Sequence, residues 1–390
     1  MTGLPKVPLG DICQKVPTWN PAKSSAEKEF IYVDLSSVDQ RNKTITSPQV
    51  ISTSEAPSRA RQLLSPGDVI VSTVRPNLNA VAHVEPEFDQ ATASTGFTVL
   101  RGDPKRIDSR YLSQWVKTPL FVSEMVRKAT GASYPAVSDR IVKASTIPLP
   151  DLADQRRIAT VLDHADMLRN KRREALAQLS QLTKSIFRDM FGDPTYARDS
   201  THGVRIGDSI RVGSGSTPSR SRPDYYEGSI PWVKTAEVNN GYIRETSEYV
   251  SETACADARL KMYPAGSILI AMYGQGKTRG RVAVLEVAAT TNQACAVLPP
   301  GDTHDTRFLF TQLLMSYERL RDLGRGGNQP NLNAKHIAGL DILLPPLDQQ
   351  QEFSRRAKQI EQLESRHRIA LDALDSLFAA AQSRAFRGEL

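Results

Sequence analysis

One stretch of the chain is rich in side chains that bind phosphates and nucleic-acid bases. Residues 211–222 read RVGSGSTPSRSR, and Tyr225 and Tyr226 follow closely. Glycine lets a backbone approach a phosphate, hydroxyl groups donate hydrogen bonds to it, and arginine either neutralises it or forks onto guanine. We predict nucleic-acid contacts from Ser216, Thr217, Ser219 and Arg220. A solvated, flexible loop is the alternative interpretation.

Four further polar segments carry residues of the same kind. The first half of the chain contributes RPNLN at residues 75–79 and GASYP at residues 131–135. The second half contributes the turn after Ala271 and the segment NQPNLN at residues 328–333, whose amides suit adenine edges. The candidates are Arg75, Asn77, Ser133, Tyr134, Tyr273, Gln275, Lys277, Arg279, Asn328, Gln329 and Asn331. For the asparagines, ordinary turn chemistry is the alternative.

The segment GQGKT, residues 274–278, is similar to a nucleotide-binding phosphate loop but departs from it in two respects. A phosphate loop needs a glycine five residues before Gly276, and this chain has Ala271 there. A phosphate loop also opens a helix, whereas the β-like run RGRVAVL follows here. We predict a basic strand–turn–strand that contacts DNA instead of a nucleotide site.

No catalytic constellation emerges from the sequence. No glutamate is followed two places later by lysine, the usual half of a metal-dependent nuclease site. The chain also lacks a Gly-x-Ser-x-Gly elbow, a His-Glu-x-x-His helix and an Asn-Pro-Pro-aromatic motif. Cys13, Cys255 and Cys295 are isolated, so we expect neither a metal site nor a disulfide framework. The sequence predicts a binding protein that is not an enzyme.

Length, charge and hydropathy set the broad class. The 390 residues carry a formal net charge of +7, an excess that favours nucleic acid as a partner. No apolar run approaches the roughly 20 residues of a membrane span. The N-terminal segment lacks the apolar core of a signal peptide. We expect a cytoplasmic protein with reduced thiols and no contact with a membrane.

Two long helical patterns, residues 155–191 and 350–386, must position these loops. The second pattern repeats the first at a distance of 195 residues, with apolar residues at steps of three and four. That spacing is typical of a coiled-coil seam, and each helix would be about 55 Å long. The predicted seam consists of Ile158, Leu162, Leu168, Arg172, Leu179 and Leu182 in the first helix and Phe353, Ile360, His367, Leu374 and Leu377 in the second. Each helix is the simplest partner for the other.

The chain therefore divides into two repeats of a globule followed by a long helix. We predict globules at residues 1–150 and 193–346, and helices at residues 151–192 and 347–390. The fold class is α/β (α+β), with two mixed globules and an internal pseudo-two-fold duplication. We expect the helices to pair antiparallel, which would place two unlike readers over half-sites ~34–36 Å apart. A parallel pairing is the alternative.

The order of these segments resembles the specificity subunit of type I restriction-modification systems. The resemblance covers essentially the whole chain. Its strongest pieces are two copies of the motif Leu-Pro-x-Leu-x-x-Gln, which end at Gln155 and at Gln350. The segments GSTP at residues 215–218 and IPWV at residues 230–233 are similar to the opening of that family's target recognition domains.

This resemblance implies a non-catalytic subunit that binds double-stranded DNA. Each globule would read one half of a bipartite, asymmetric target, and the paired helices would set the spacing and dock two modification subunits. Those partners would carry S-adenosylmethionine and methylate adenine, and restriction subunits would use ATP and Mg²⁺. The chain itself would hold no cofactor. A coiled-coil scaffold without DNA specificity and a DNA-modifying enzyme with an unrecognised site are the two alternatives.

Overall fold

The computed structural model describes residues 4–24, 26–274, 277–323 and 331–390. The chain forms two compact units. The first unit comprises the residues up to Glu174 together with Arg368–Leu390, and the second comprises Ala175–His367. Each unit therefore contains one globule and one half of each long helix.

The first unit is a mixed α/β structure. Its strands are β1 (Lys6–Pro8), β2 (Cys13–Gln14), β3 (Glu29–Val33), β4 (Val38–Asp39), β5 (Thr44–Ile45), β6 (Gln49–Ser52), β7 (Ala60–Leu63), β8 (Val69–Ser72), β9 (Val81–His83), β10 (Thr92–Ser94), β11 (Phe97–Gly102) and β12 (Thr146–Pro148). Its helices are α1 (Ser109–Val116), α2 (Pro119–Lys128), α3 (Asp139–Ala144), the first half of α4 (Leu152–Phe191) and the second half of α10 (Leu347–Ala385). Two four-stranded sheets, β6-β3-β10-β7 and β2-β11-β8-β9, form its centre, and β1 pairs with β12.

The second unit is also a mixed α/β structure. Its strands are β13 (Gly203–Arg205), β14 (Gly213–Ser214), β15 (Ile230–Val233), β16 (Tyr242–Ile243), β17 (Tyr249–Val250), β18 (Ile268–Ala271), β19 (Val282–Leu285), β20 (Thr290–Thr291), β21 (Cys295–Leu298) and β22 (Asp341–Leu343). Its helices are α5 (Ile206–Ser209), α6 (Glu252–Asp257), α7 (Thr306–Met315), α8 (Tyr317–Asp322), α9 (Ala334–Ala338), the second half of α4 and the first half of α10 (Leu347–Ala385). The sheets are β14-β21-β18-β19-β16 and β17-β15-β20, and β13 pairs with β22.

The second unit retraces the first. In each, an antiparallel hairpin (β8–β9 or β18–β19) pairs with a later strand (β11 or β21). In each, the first strand pairs with the last strand before a long helix. Gly67 and Gly266 both have a φ angle of 86° in the turn that precedes the hairpin, a left-handed conformation that favours glycine. The predicted duplication and the mixed α/β class are confirmed.

The ends of α4 follow from its flanking residues. The carboxylate of Asp151 accepts a hydrogen bond at 2.9 Å from the backbone N–H of Asp154, a typical N-terminal cap. At the other end, Gly192 has a φ angle of 86° and donates its N–H to the carbonyl oxygen of Arg188 at 2.8 Å. Glycine ends many helices in this way because it has no Cβ atom and therefore adopts the left-handed conformation without a steric clash.

The two long helices run antiparallel within each unit. In the first unit, Ile158 and Leu162 near the start of α4 share a core with Phe378 and Ala385 near the end of α10. In the second unit, the ring centroid of Phe187 near the end of α4 lies 5.3 Å from that of Phe353 near the start of α10. The antiparallel expectation is therefore correct.

The helix–helix face departs from the predicted seam near the middle of α4. Ile158, Leu162, Phe353 and Ile360 are buried, and Leu179, His367 and Leu374 are half-buried. Leu168, Leu182 and Leu377 are instead 40, 46 and 62% exposed, and Arg172 is exposed.

Residues one position further along α4 take the place of Leu168 and Arg172. Arg169 lies with its guanidinium carbon 4.3 Å from the ring centroid of Phe378, and Arg173 pairs with Asp375 at 3.1 Å. At this level the inner face of α4 therefore lies one residue beyond the predicted seam positions.

Candidate nucleic-acid interface

The loop between β8 and β9 holds Arg75 and Asn77 in a constrained conformation. Its 3-10 turn, Pro76–Leu78, lies between Arg75 and Asn79, whose φ angles are 49° and 47°. A non-glycine residue in this left-handed region costs about 1–3 kcal/mol and persists only where its surroundings hold it. The backbone N–H of Arg75 donates to the carbonyl oxygen of Pro135 at 2.7 Å, which is one such restraint. Strained residues of this kind cluster at binding sites.

This loop brings together candidates from two separate segments. The guanidinium carbon of Arg75 lies 4.7 Å from the ring centroid of Tyr134, a cation–π contact. Tyr134 is 68% exposed, and Ser133 and Asn77 are exposed as well. Arg75, Asn77, Ser133 and Tyr134 together form what we call the first loop surface. It offers one cation, one ring and several hydrogen-bonding groups to a ligand.

Two lysines that lie behind the first loop surface were not among the residues predicted from the sequence. Lys43 donates from Nζ to the carbonyl oxygen of Asn79, and Asn79 donates from Nδ2 to the carbonyl oxygen of Lys117 at 3.3 Å. Burial, and then the charge of Lys117, lowers the pKa of Lys43 to about 8. Burial also lowers the pKa of Lys117. No sequence pattern links these residues, because the β4–β5 hairpin and the end of α1 meet only in the folded unit.

The corresponding loop of the second unit, between β18 and β19, carries Tyr273, Lys277 and Arg279. Tyr273 and Lys277 are exposed, and Arg279 is half-buried. Tyr317 donates its hydroxyl to the carbonyl oxygen of Lys277 at 2.7 Å, which fixes the outgoing arm of the loop. β19 follows this loop, so the expected strand–turn–strand replaces the helix that a phosphate loop requires.

Asn331 lies next to the same loop. The N–H of the following residue, Leu332, donates to the carbonyl oxygen of Met272 at 3.0 Å, and Asn331 is exposed. Tyr273, Lys277, Arg279 and Asn331 form the second loop surface. The other candidates of this region, Gln275, Asn328 and Gln329, lie outside the described residues.

The glycine-rich stretch of the second unit is a tethered loop. Ser216 donates its N–H to the carbonyl oxygen of Thr291 at 2.9 Å. The indole of Trp232 donates to the carbonyl oxygen of Ser216 at 3.1 Å, and the hydroxyl of Tyr226 donates to that of Pro218 at 2.7 Å. The hydroxyl of Thr217 hydrogen-bonds to the side chain of Gln293. These contacts hold the loop against the sheet, unlike the flexible alternative.

The glycines of this loop serve packing. A Cβ atom on Gly215 would lie 1.9 Å from the carbonyl oxygen of Thr291, and one on Gly213 would lie 2.5 Å from the hydroxyl of Tyr263. Both distances are too short for any side chain. The close approach that we assigned to a phosphate is therefore an approach to neighbouring strands, and the polar side chains alone remain available to a ligand.

Arg220 sits at the centre of a group that we call the arginine cluster: Arg220, Tyr226, Trp232, Lys234 and Glu248. Its guanidinium carbon lies 4.2 Å from the ring centroid of Tyr226 and 5.3 Å from that of Trp232. The carboxylate of Glu248 pairs with Arg220 at 2.8 Å and with Lys234 at 2.7 Å. The hydrogen bond from Lys234, and also the nearby guanidinium of Arg220, lowers the pKa of Glu248, so the carboxylate is charged at neutral pH. Ser219, beside it, hydrogen-bonds to Ser221 at 2.7 Å between the two hydroxyls.

The tethered loop and the second loop surface lie at the same end of the five-stranded sheet. The N–H of Met272, at the start of the β18–β19 loop, donates to the carbonyl oxygen of Ala294 at 2.8 Å. Ala294 follows Gln293, which holds Thr217. In the first unit the N–H of Thr73 donates to the carbonyl oxygen of Gly96 at 2.9 Å in the same topological position. Both units therefore gather their candidate residues around the same end of a hairpin.

The part of the chain that the structure describes holds neither a metal-binding cluster nor a membrane-spanning helix. There, no group of three or more His, Cys, Asp or Glu residues converges into a possible metal site. No described helix is long and apolar enough to cross a membrane.

Comparison with known proteins decides the family. The model of the type I restriction modification DNA specificity domain matches residues 3–178 and again residues 201–371. The chain belongs to this family. The two matches agree with the duplication seen in the sequence and in the fold, and they confirm the resemblance drawn from the Leu-Pro-x-Leu-x-x-Gln motifs.

Relatives of this specificity-domain chain are similar over most of their length. The MjaIX specificity subunit of a type I restriction enzyme from Methanocaldococcus jannaschii is 23% identical over 352 residues, which cover 86% of this chain and 78% of the relative. A solved structure from work on complex assembly and conformational transition of a type I R-M system is 26% identical, covers 100% of this chain and 99% of its own, and has a TM-score of 0.61. The S subunit from M. genitalium, 13% identical with a TM-score of 0.59, shares the fold.

Proposed function

We propose that this chain is the DNA-reading specificity subunit of a type I restriction-modification complex. Each unit reads one half of a bipartite, asymmetric target in double-stranded DNA. The family match, the basic net charge of +7 and the exposed cationic loops support this assignment. The exposed cationic loops make the coiled-coil scaffold a weaker explanation, because a scaffold without DNA specificity needs no such loops.

One observation carries the proposal: the two units share a scaffold and differ at the surface that the scaffold presents. Gln155 and Gln350 make equivalent hydrogen bonds at the start of α4 and α10. The equivalent hairpin loops, by contrast, carry Arg75 in one unit and Lys277 with Arg279 in the other. Protein side chains read the edges of the bases, whereas contacts to the phosphates and sugars of DNA carry no sequence information. Two readers with different side chains on one scaffold fit a target with two unlike halves.

The long helices have two roles in this proposal: they set the separation of the half-sites and they dock two modification subunits. Apolar side chains on the exposed faces of α4 and α10 support docking, since exposed apolar surface in a soluble protein commonly marks an interface. These side chains are Val161, Met167, Leu168, Leu182, Leu363, Ile369 and Leu377.

The chemistry belongs to the partner subunits in this proposal. The modification subunits bind S-adenosylmethionine and methylate adenine, and the restriction subunits use ATP and Mg²⁺. This chain is not an enzyme and holds no cofactor. Its action on DNA takes place in the cytoplasm.

Selection from random duplex DNA by the purified complex tests the proposal. We expect an enriched motif of two unlike half-sites around a gap of fixed length. Enrichment of one contiguous site would mean that only one unit reads. Binding without any enrichment at physiological salt would favour the scaffold, and turnover by the chain alone with S-adenosylmethionine or magnesium would favour the enzyme.

A further inference from the structure

We propose that Arg220 is a specificity-determining residue that reads a guanine in the half-site of the second unit, and that Glu248, Tyr226 and Trp232 are its positioning residues. This inference rests on the proposed function and adds to it a base, a reading atom group and the residues that hold it. It follows from the tether of the loop, the packing of the guanidinium and the charge of its surroundings.

The backbone that leads to Arg220 is fixed at Ser216 and at Pro218. Trp232 holds the carbonyl oxygen of Ser216, and Tyr226 holds that of Pro218. Pro218 itself is buried. A base-reading side chain must start from a fixed Cα position, because a site that is loose by about 1 Å loses its function. The tether meets that requirement.

The guanidinium lies over two rings and forms an ion pair. The rings of Tyr226 and Trp232 lie 4.2 and 5.3 Å from its central carbon, and the carboxylate of Glu248 lies 2.8 Å from one terminal nitrogen. The side chain nevertheless remains 57% exposed. A guanidinium has five N–H donors in a planar fork, so an exposed one keeps donors available for the O6 and N7 acceptors of guanine.

The charges of the arginine cluster favour a base over a phosphate. Arg220 and Lys234 bring two positive charges, and Glu248 pairs with both of them. A carboxylate this close offsets much of the attraction that a phosphate would feel. It leaves the shape of the fork unchanged. Such a carboxylate weakens the binding of an arginine to phosphate. It favours the reading of guanine, because it restrains the orientation of the guanidinium.

Glu248 is itself held by the sheet. Its carbonyl oxygen accepts a hydrogen bond at 3.1 Å from the N–H of Trp232, and the residue after it begins β17, which pairs with β15. Its carboxylate also holds Lys234 at 2.7 Å. The position of the carboxylate therefore follows from strand pairing, and its charge in turn restrains the guanidinium of Arg220.

The test is the selection experiment with two variants of the whole complex, Arg220→Lys and Glu248→Gln. Arg220→Lys keeps the charge and loses the fork, so preference for guanine at one position of one half-site should fall by about 5- to 150-fold, the range for one bidentate contact. The other half-site and the salt dependence of binding should stay unchanged. Glu248→Gln should weaken the same preference while binding to non-specific DNA becomes equal or tighter, because a negative charge is removed. A merely structural role for Glu248 would weaken both kinds of binding.

Arg222→Lys is the matched control. Arg222 also lies over a tyrosine, with its guanidinium carbon 4.5 Å from the ring centroid of Tyr225, and pairs with a carboxylate, Asp224, at 2.7 Å. Asp224 is two residues away and belongs to the same exposed turn, so no tethered sheet orients this pair. The control should keep the motif. A guanine preference that survives Arg220→Lys, or one lost equally in the control, overturns the inference. Absence of enrichment by the unmutated complex would instead contradict the proposed function.

Discussion

Gln155 and Gln350, 195 residues apart in the sequence, make the same three hydrogen bonds. The side-chain oxygen of Gln155 accepts from the N–H of Asp108 at 2.8 Å, and its nitrogen donates to the carbonyl oxygens of Arg106 and Pro150. Gln350 accepts from the N–H of Asp305 at 2.9 Å and donates to those of Thr303 and Pro345.

Both glutamines are fully buried, and each binds the first turn of a long helix to the N-terminus of a globular helix. Asp108 caps α1, and Asp305 caps α7. The glutamine of the Leu-Pro-x-Leu-x-x-Gln motif thus fixes the angle between globule and long helix in each unit.

Replacing Gln350 by leucine should destabilise the second unit strongly. The variant keeps the size of the side chain but leaves one buried N–H and two carbonyl groups without partners, each at about 1–3 kcal/mol. We expect a loss of at least about 2 kcal/mol in the free energy of unfolding, measured by urea denaturation. Gln349→Leu is the control, because Gln349 is exposed and adjacent. Equal effects of the two substitutions would contradict the role of the buried amide.

The internal repeat was predictable from the sequence because each copy of its signals lies in one continuous stretch of residues. The motif that ends at Gln155 recurs at Gln350, and the apolar steps recur with it, so the sequence reveals the duplication and the two long helices. The role of the glutamine was not predictable, because its partner Asp108 is 47 residues away. The shift of the inner face to Arg169 and Arg173 was not predictable either, because it depends on contacts with Phe378 and Asp375 on the other long helix.

The sequence indicated which loops carry the candidate residues. It did not indicate which of these residues contact each other. Arg75 and Tyr134 were both candidates, yet their contact depends on a bridge between Val74 and Ala136. Arg220 was a candidate, and its partner Glu248 was not, since only the pairing of β15 with β17 brings that carboxylate near. The sequence therefore shows which side chains could bind a nucleic acid. Strand pairing in the folded chain decides which of them contact each other.

Phe386→Ala should destabilise the first unit although it lies at the far end of the sequence. Phe386 is buried, and its ring centroid lies 5.1 Å from that of Tyr111 and 5.0 Å from that of Trp115. Phenylalanine-to-alanine substitutions in cores cost about 3–5 kcal/mol. Hydrogen exchange of the α1 amides should accelerate correspondingly. Arg387→Ala is the control, because its exposed pair with Glu389 contributes at most ~1 kcal/mol. Unchanged protection of α1 in Phe386→Ala would refute this packing.

Lys43 should make the stability of the first unit depend on pH in the alkaline range. Burial lowers its pKa from 10.5 to about 8 in the folded chain. Between these values the unfolded chain holds a proton that the folded chain has released, so stability rises as the pH increases through this window. Below about pH 8 the penalty for the buried charge is fully present.

Urea denaturation at pH 7.5 and at pH 9.5 checks this dependence. Lys43→Met should be less sensitive to the change in pH than the unmutated chain. Lys105→Met, at an exposed lysine of the same unit, should leave the dependence as it was. A steep dependence that persists in Lys43→Met would assign it to another group.

Lys277→Ala should weaken DNA binding without changing the motif. Lys277 is exposed on the second loop surface, where its flexible ammonium suits a phosphate contact better than a base edge. Loss of one phosphate contact should make the plot of log Kobs against log salt shallower by about 0.9. Titrations of the complex with its selected DNA at several salt concentrations measure this slope. Lys358→Ala, at an exposed lysine on α10, should leave it unchanged. A changed motif with an unchanged slope would reassign Lys277 to base reading.

Leu179→Pro should abolish bipartite binding at the original spacing. Leu179 lies inside α4, and proline there removes a backbone hydrogen bond and clashes with the preceding turn, at ~3 kcal/mol or more. If α4 sets the separation of the half-sites, a kink in it prevents both units from engaging one duplex in register, although each unit stays folded. Selection with the variant complex should then yield single half-sites. Leu179→Ala keeps the helix and should keep the two-part motif. Retention of both half-sites with the original gap in Leu179→Pro would show that the helix does not set the spacing.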